Sequence, residues 1–181
     1  MIFFRSVPIS RDHRTALSRF IAAQLLRTPR FFQLMVDGLR SEGVAYNRDT
    51  PQRVMLALIN FWIPRLTRMD AQLAYTEADA PPLLTSDNPA VMWKRTRDSF
   101  ICGGVDQYDP QLVISCPLAP NLLFVTYQTP RSLEAVHAER HDIARGDKPP
   151  ETFTTHVGTG GLPKHEAALI NQVCASPKFL A

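Results

Sequence analysis

The hydrophobic period of this chain changes near residue 68, and that change constrains the fold more than any single motif. Over residues 11–43, Leu17, Phe20, Ile21, Leu25, Phe31, Phe32, Met35, Val36 and Leu39 fall on one side at about 100° per residue, the stripe of an amphipathic helix. Ser10 or Asp12 caps its start and Gly43 its end, and Pro29 in its middle predicts a kink. Asp49-Thr50-Pro51 starts a second helix, about 51–63, with Thr50 as its cap. That helix is apolar nearly all round, which predicts a central place in the core, and Pro64 ends or kinks it. Beyond residue 68 the apolar runs shorten to 71–75, 83–85, 91–93, 112–115 and 122–127, bounded by Pro, Asp, Asn and Gly as strands are. Residues 131–145 return to helical character, and 146–161 read as a polar loop. Residues 163–175 form a last helix with Leu169, Ile170 and Val173 inward. Helices first and strands after predict an α+β fold: N-terminal helices packed on a small, mostly antiparallel sheet, with a C-terminal helix.

A length of 181 residues fits one domain, and burial of roughly 70% of the unfolded surface supplies a core without staples. Apolar residues at 45% and charged residues at 20% exclude a disordered chain. Cys102, Cys116 and Cys174 are odd in number and far apart, so free thiols and a cytoplasmic location are expected. No apolar run approaches the roughly 20 residues a membrane span needs.

Four segments occur together in order: AAQLLRTPRF at 22–31, LLTSDNPAV at 83–91, CPLAPNLLF at 116–124 and LINQVCASPKFL at 169–180. In them the chain resembles the bacterial family catalogued as domain of unknown function 4238. That family pairs a Q-x-x-R-T-P helix with a S-D-N-P turn, a P-L-S-P strand start and a late Asn, here Asn171. Two departures stand out. The aromatic segment that opens the family ahead of its first helix has no counterpart before Arg14, and the P-L-S-P serine is Ala119. The resemblance therefore implies an N-terminally shortened member that binds a ligand or partner without intact catalysis.

The residues themselves offer a short set of candidates. Gln24 and Thr28 lie inside the apolar stripe, where each needs a partner; Thr28 can bond back to a helix carbonyl, and Gln24 can face a pocket opened by the kink. Arg27, at the stripe's edge, suits a carboxylate such as Asp87 or an anionic ligand. Ser86, Asp87 and Asn88 make either a strand-connecting turn or a carboxylate and amide held at a strand end. Asn121 and Asn171 complete the polar set. In an enzyme, most plausibly a hydrolase, Asp87 is the base or a metal ligand, Arg27 the anion clamp, and Gln24, Asn88 and Asn121 position the substrate. His137 and His141 share a helix face, but Glu139 points away from them, so neither a metal nor a cofactor is expected. The Gly158–Gly161 stretch lacks the lysine of a phosphate loop, and Cys102 has no histidine in a recognisable relation to it.

Charge divides as the period does. Residues 1–68 hold 11 basic and 4 acidic residues, 11 − 4 = +7; residues 69–181 hold 9 and 13, 9 − 13 = −4. Arg11, Arg14, Arg19, Arg30 and Arg40 then suggest a face for nucleic acid, as in a module of a phage or defence element. The alternative is that the basic and acidic halves neutralise each other.

Overall fold

The computed structural model describes residues 5–43, 47, 49–85, 89–95, 100–102, 109–130, 132, 134 and 156–175. Among them are four helices, α1 (Arg11–Leu26), α2 (Pro29–Ser41), α3 (Thr50–Arg68) and α4 (Lys164–Cys174). Seven strands accompany them: β1 (Arg5–Pro8), β2 (Asp70–Thr76), β3 (Val91–Arg95), β4 (Phe100–Cys102), β5 (Leu112–Ala119), β6 (Leu122–Tyr127) and β7 (His156–Leu162). The fold is α+β with a C-terminal helix, as the sequence implies.

The expected single helix over 11–43 is two helices. Pro29 disfavours helical backbone at the residue before it, and Thr28 is extended, with φ −68° and ψ 142°. The chain breaks there instead of kinking. Arg27 ends α1, and Thr28 caps α2 by accepting a hydrogen bond from the Phe31 amide at 3.2 Å. The hydroxyl thus serves the following helix, where a bond back to a preceding carbonyl was expected. Gly43, at φ +66°, closes α2 as expected.

The second helix departs from expectation twice. It runs through Pro64 to Arg68. The bond that Pro64 forgoes belongs to the carbonyl of Asn60, an exposed residue, so the loss falls on the solvent side of the helix. Nor is α3 central: Leu56 is 60% and Phe61 40% exposed, and the Arg65 guanidinium lies 3.5 Å over the Phe61 ring. Its burial is concentrated in the last turn, at Leu66, Thr67 and Arg68. Asp49 occupies the cap position, while Thr50 bonds with Asn47.

All seven strands join one sheet in the order β1-β7-β2-β6-β5-β3-β4, antiparallel except for the β2–β7 pair. Three strands were not anticipated, β1, β4 and β7. β1 comes from the basic half, and β7 runs through the stretch expected to be loop, so Gly158-Thr159-Gly160-Gly161 is strand backbone. Conversely, residues 83–85 form no strand; the Leu83 and Leu84 amides bond Pro120 and Asn171 instead. β5 and β6 form a hairpin whose turn is Pro120-Asn121, with a register shift at Pro117, which has no amide to give the ladder.

Strand alternation sends side chains to two covered faces. Ala71, Leu112, Ile114, Cys116 and Phe124 pack with Ile21 and Ala22 of α1 and with Leu66 and Met69 at the end of α3. Ala74, Val91, Trp93 and Leu123 pack on the opposite face with Ala167, Ile170 and Val173 of α4. Arg14, expected on an exposed arginine face, lies in the first of these layers at 1% exposure. Its Nη2 donates to the carbonyls of Leu66 and Met69 at 2.6 and 2.8 Å and so closes the C-terminus of α3. Arg14 therefore offers nothing to a nucleic acid. Among the described residues no helix is long and apolar enough to cross a membrane.

Candidate functional site

Two regions bear on function. The first is the corner where α1 meets α2, β3 and β5. Thr28 is buried there as the cap of α2, Gln24 is half-buried on the last turns of α1, and Arg27 is exposed. The charge of Arg27 nonetheless reaches Cys116. Burial pushes that thiol up to about 12, the nearby Cys174 raises it further, and Arg27 opposes the shift. Cys116 is accordingly a protonated packing group rather than a nucleophile. Ala90, fully buried, packs with Ile21, Ala22 and Cys116, so the chain enters β3 beside the C-terminal half of α1.

The segment leading to β3 is held by main-chain and amide contacts. Asn171 of α4 accepts from the Leu84 amide at 2.8 Å and donates to the Pro82 carbonyl at 2.9 Å. Both ends of its amide are thus used on backbone. The Leu83 amide donates to the Pro120 carbonyl at 2.7 Å, and the Thr76 amide to the Asn121 carbonyl at 3.1 Å. Asn121 contributes its carbonyl there, and its side chain stands in an exposed turn. Ser86, Asp87 and Asn88 lie outside the described residues, as do His137, Glu139, His141 and the side chains of Arg30 and Cys102.

The second region is a cavity of about 200 Å³ between the sheet and α4. Its floor comes from β2, β5 and β6, with Leu162 of β7 at one side and Glu166, Leu169 and Ile170 of α4 above. The space follows from small residues: Ala74 faces it, and in register with Ala74 stands Gly160 of β7. The Trp93 ring is fixed because its only donor, Nε1, bonds Ser115 Oγ at 3.1 Å in the interior. It therefore shows the cavity only ring surface. At the other end Gln72 Nε2 donates to the Tyr127 hydroxyl at 2.9 Å. Burial, and then the charge of Asp70, raise the Tyr127 phenol above its ordinary value, against the bond from Gln72. Asp70 stands directly opposite Tyr127 in the β2–β6 ladder.

The sequence profile of the family described as "Protein of unknown function (DUF4238)" matches residues 34–172, most of the chain. The chain belongs to this family. No curated protein and no solved structure matches it. Within the DUF4238 span fall the Ser-Asp-Asn-Pro sequence, the Cys-Pro-Leu-Ala-Pro strand and Asn171, whereas the Gln24–Pro29 motif lies ahead of it. The structure links two of these DUF4238 motifs directly, since Asn171 holds the backbone at Pro82 and Leu84, just ahead of the Ser-Asp-Asn-Pro residues.

None of Gln24, Arg27, Thr28, Asn121 and Asn171 is among the described residues lining the cavity. Sequence reasoning missed the cavity because its polar residues sit singly on strands. One signal was available: Gln72 and Tyr127 interrupt two apolar runs, and Ala71 and Ala74 make β2 unusually small.

Proposed function

We propose that this DUF4238 protein binds a small ligand in the cavity between the sheet and α4. The observation that carries the reading is the cavity's construction: an apolar floor, a Trp93 ring with its donor already committed, and a Gln72–Tyr127 pair at one end. Ligand sites commonly combine apolar walls with a few placed polar groups. The reading is of binding rather than turnover. The described lining residues include no Ser, Thr, Cys, Lys or His that would act as a nucleophile. An apolar cavity of about 150 Å³ takes benzene, so about 200 Å³ admits one aromatic ring with a short substituent.

Benzyl alcohol tests the reading. For so small a probe a dissociation constant of about 1 mM is expected. Its titration should shift the indole N–H resonance of Trp93 saturably, and Ala74→Leu, which adds side-chain volume to the cavity, should abolish the shift. No saturable change at Trp93 with any single-ring probe, neutral or charged, or binding that survives Ala74→Leu, rules the site out.

A further inference from the structure

We infer that the cavity selects a cation, namely a primary ammonium carried on a short arm from a single aromatic ring. This rests on the cavity being the ligand site and adds the charge and class of what it takes. Glu166, in the first turn of α4, is the only charged residue among the described lining residues. Lysine, arginine and histidine are absent from that set, so nothing described there would pair an anion.

Gln72 and Asp70 favour the same sign. Gln72 spends its Nε2 on the Tyr127 hydroxyl, which leaves its carbonyl oxygen as an acceptor. Asp70, paired with Tyr127 across the ladder, adds negative potential at that end. Trp93 and Tyr127 present rings, whose faces attract a cation. An ammonium has three donors and no acceptor, and so matches the Glu166 carboxylate and the Gln72 carbonyl oxygen. A carboxylate has room for several donors, so a bound ammonium can share Glu166 with another partner.

Three probes of nearly one shape separate the possibilities: benzylamine, benzyl alcohol and benzoate, titrated near neutral pH with the Trp93 indole resonance as readout. Benzylamine should bind about tenfold more tightly than benzyl alcohol, a gap of about 1.4 kcal/mol, with benzoate weakest. The gap should shrink at high salt. Glu166→Gln should close it, while Glu77→Gln, an exposed acid outside the cavity, should leave it open. Benzoate binding as well as benzylamine, or a gap that persists in Glu166→Gln, overturns the cation assignment while the cavity stands as a ligand site. Failure of all three probes overturns the ligand site itself.

Discussion

The two faces of the sheet are covered differently, and the contrast separates structural from ligand-binding roles. On the α1–α3 face, Ile21, Ala22, Leu66, Met69, Leu112, Ile114 and Phe124 are each at most 3% exposed. Two helices meet there, and the polar groups within, such as Arg14, serve helix ends. On the other face α4 spans only 11 residues, Ala74 and Gly160 supply little volume, and a cavity remains. A face filled to native density makes stability, and a face left partly unfilled can make a site.

Core truncation gives the largest expected difference between the faces. Phe124→Ala should cost about 3–5 kcal/mol, because Phe124 is 1% exposed with neighbours on every side. Leu169→Ala, beside the cavity and already half-buried, should cost about 1 kcal/mol or less. Denaturant midpoints at unchanged m-value measure both, and equal losses would break the contrast.

Next in size is a pH effect confined to the filled face. Burial favours the neutral Cys116 thiol in the folded state and moves it from 9.0 to about 12. The unfolded thiol ionises first, so its contribution is fully present below about pH 9 and is lost as pH rises toward 12. The loss is at most about 4 kcal/mol across that window, from three pKa units at about 1.4 kcal/mol each. Arg14 acts in the opposite sense. Burial lowers it from 12.5 to about 10, against the charge of Asp70, so it favours the folded state increasingly as pH rises through that interval. The difference between wild type and Cys116→Ala isolates the thiol, and the variant should show the shallower alkaline decline in thermal stability.

A smaller effect belongs to Arg14 itself. Arg14→Met strands the Leu66 and Met69 carbonyls in the interior, yet removes a desolvated cation whose Nε and Nη1 have no partner. A net loss of about 1–3 kcal/mol is expected in chemical denaturation. A more stable Arg14→Met would show that the desolvation cost outweighs the two bonds.

The smallest change is expected at Asn171, which ties α4 to the 82–84 backbone on the cavity side of the sheet. Asn171→Leu gives up two hydrogen bonds to backbone, about 1–2 kcal/mol. Faster hydrogen exchange at the Leu84 amide should accompany it.

Legibility followed the kind of force involved. The α+β order was readable because period and composition are local properties. So was the inward face of α4, where Ile170 and Val173 are buried as the spacing requires. The strands β5 and β6 were readable as apolar runs bounded by turns, and with both faces covered they need no clean alternation. β7 was unreadable because its glycines have no strand propensity, and its pairing with β1 and β2 supplies what the residues lack. Arg14 was misread although the spacing was informative: it sits two turns before Ile21 on the buried stripe with Ser18. Charge suggested solvent, and the α3 carbonyls decided otherwise.

The candidate site divides along the same line. Sequence alone determined the α+β class, the family and the polar motif positions, because these depend on residue identity and short spacing. Tertiary structure decided that Thr28 is a cap and that Asn171 holds the 82–84 backbone. It also decided that Gln72, Trp93, Tyr127 and Glu166 surround one space. Those four residues are separated by 94 positions from first to last, 166 − 72. Only strand register and the placement of α4 bring them together, and no local pattern encodes either.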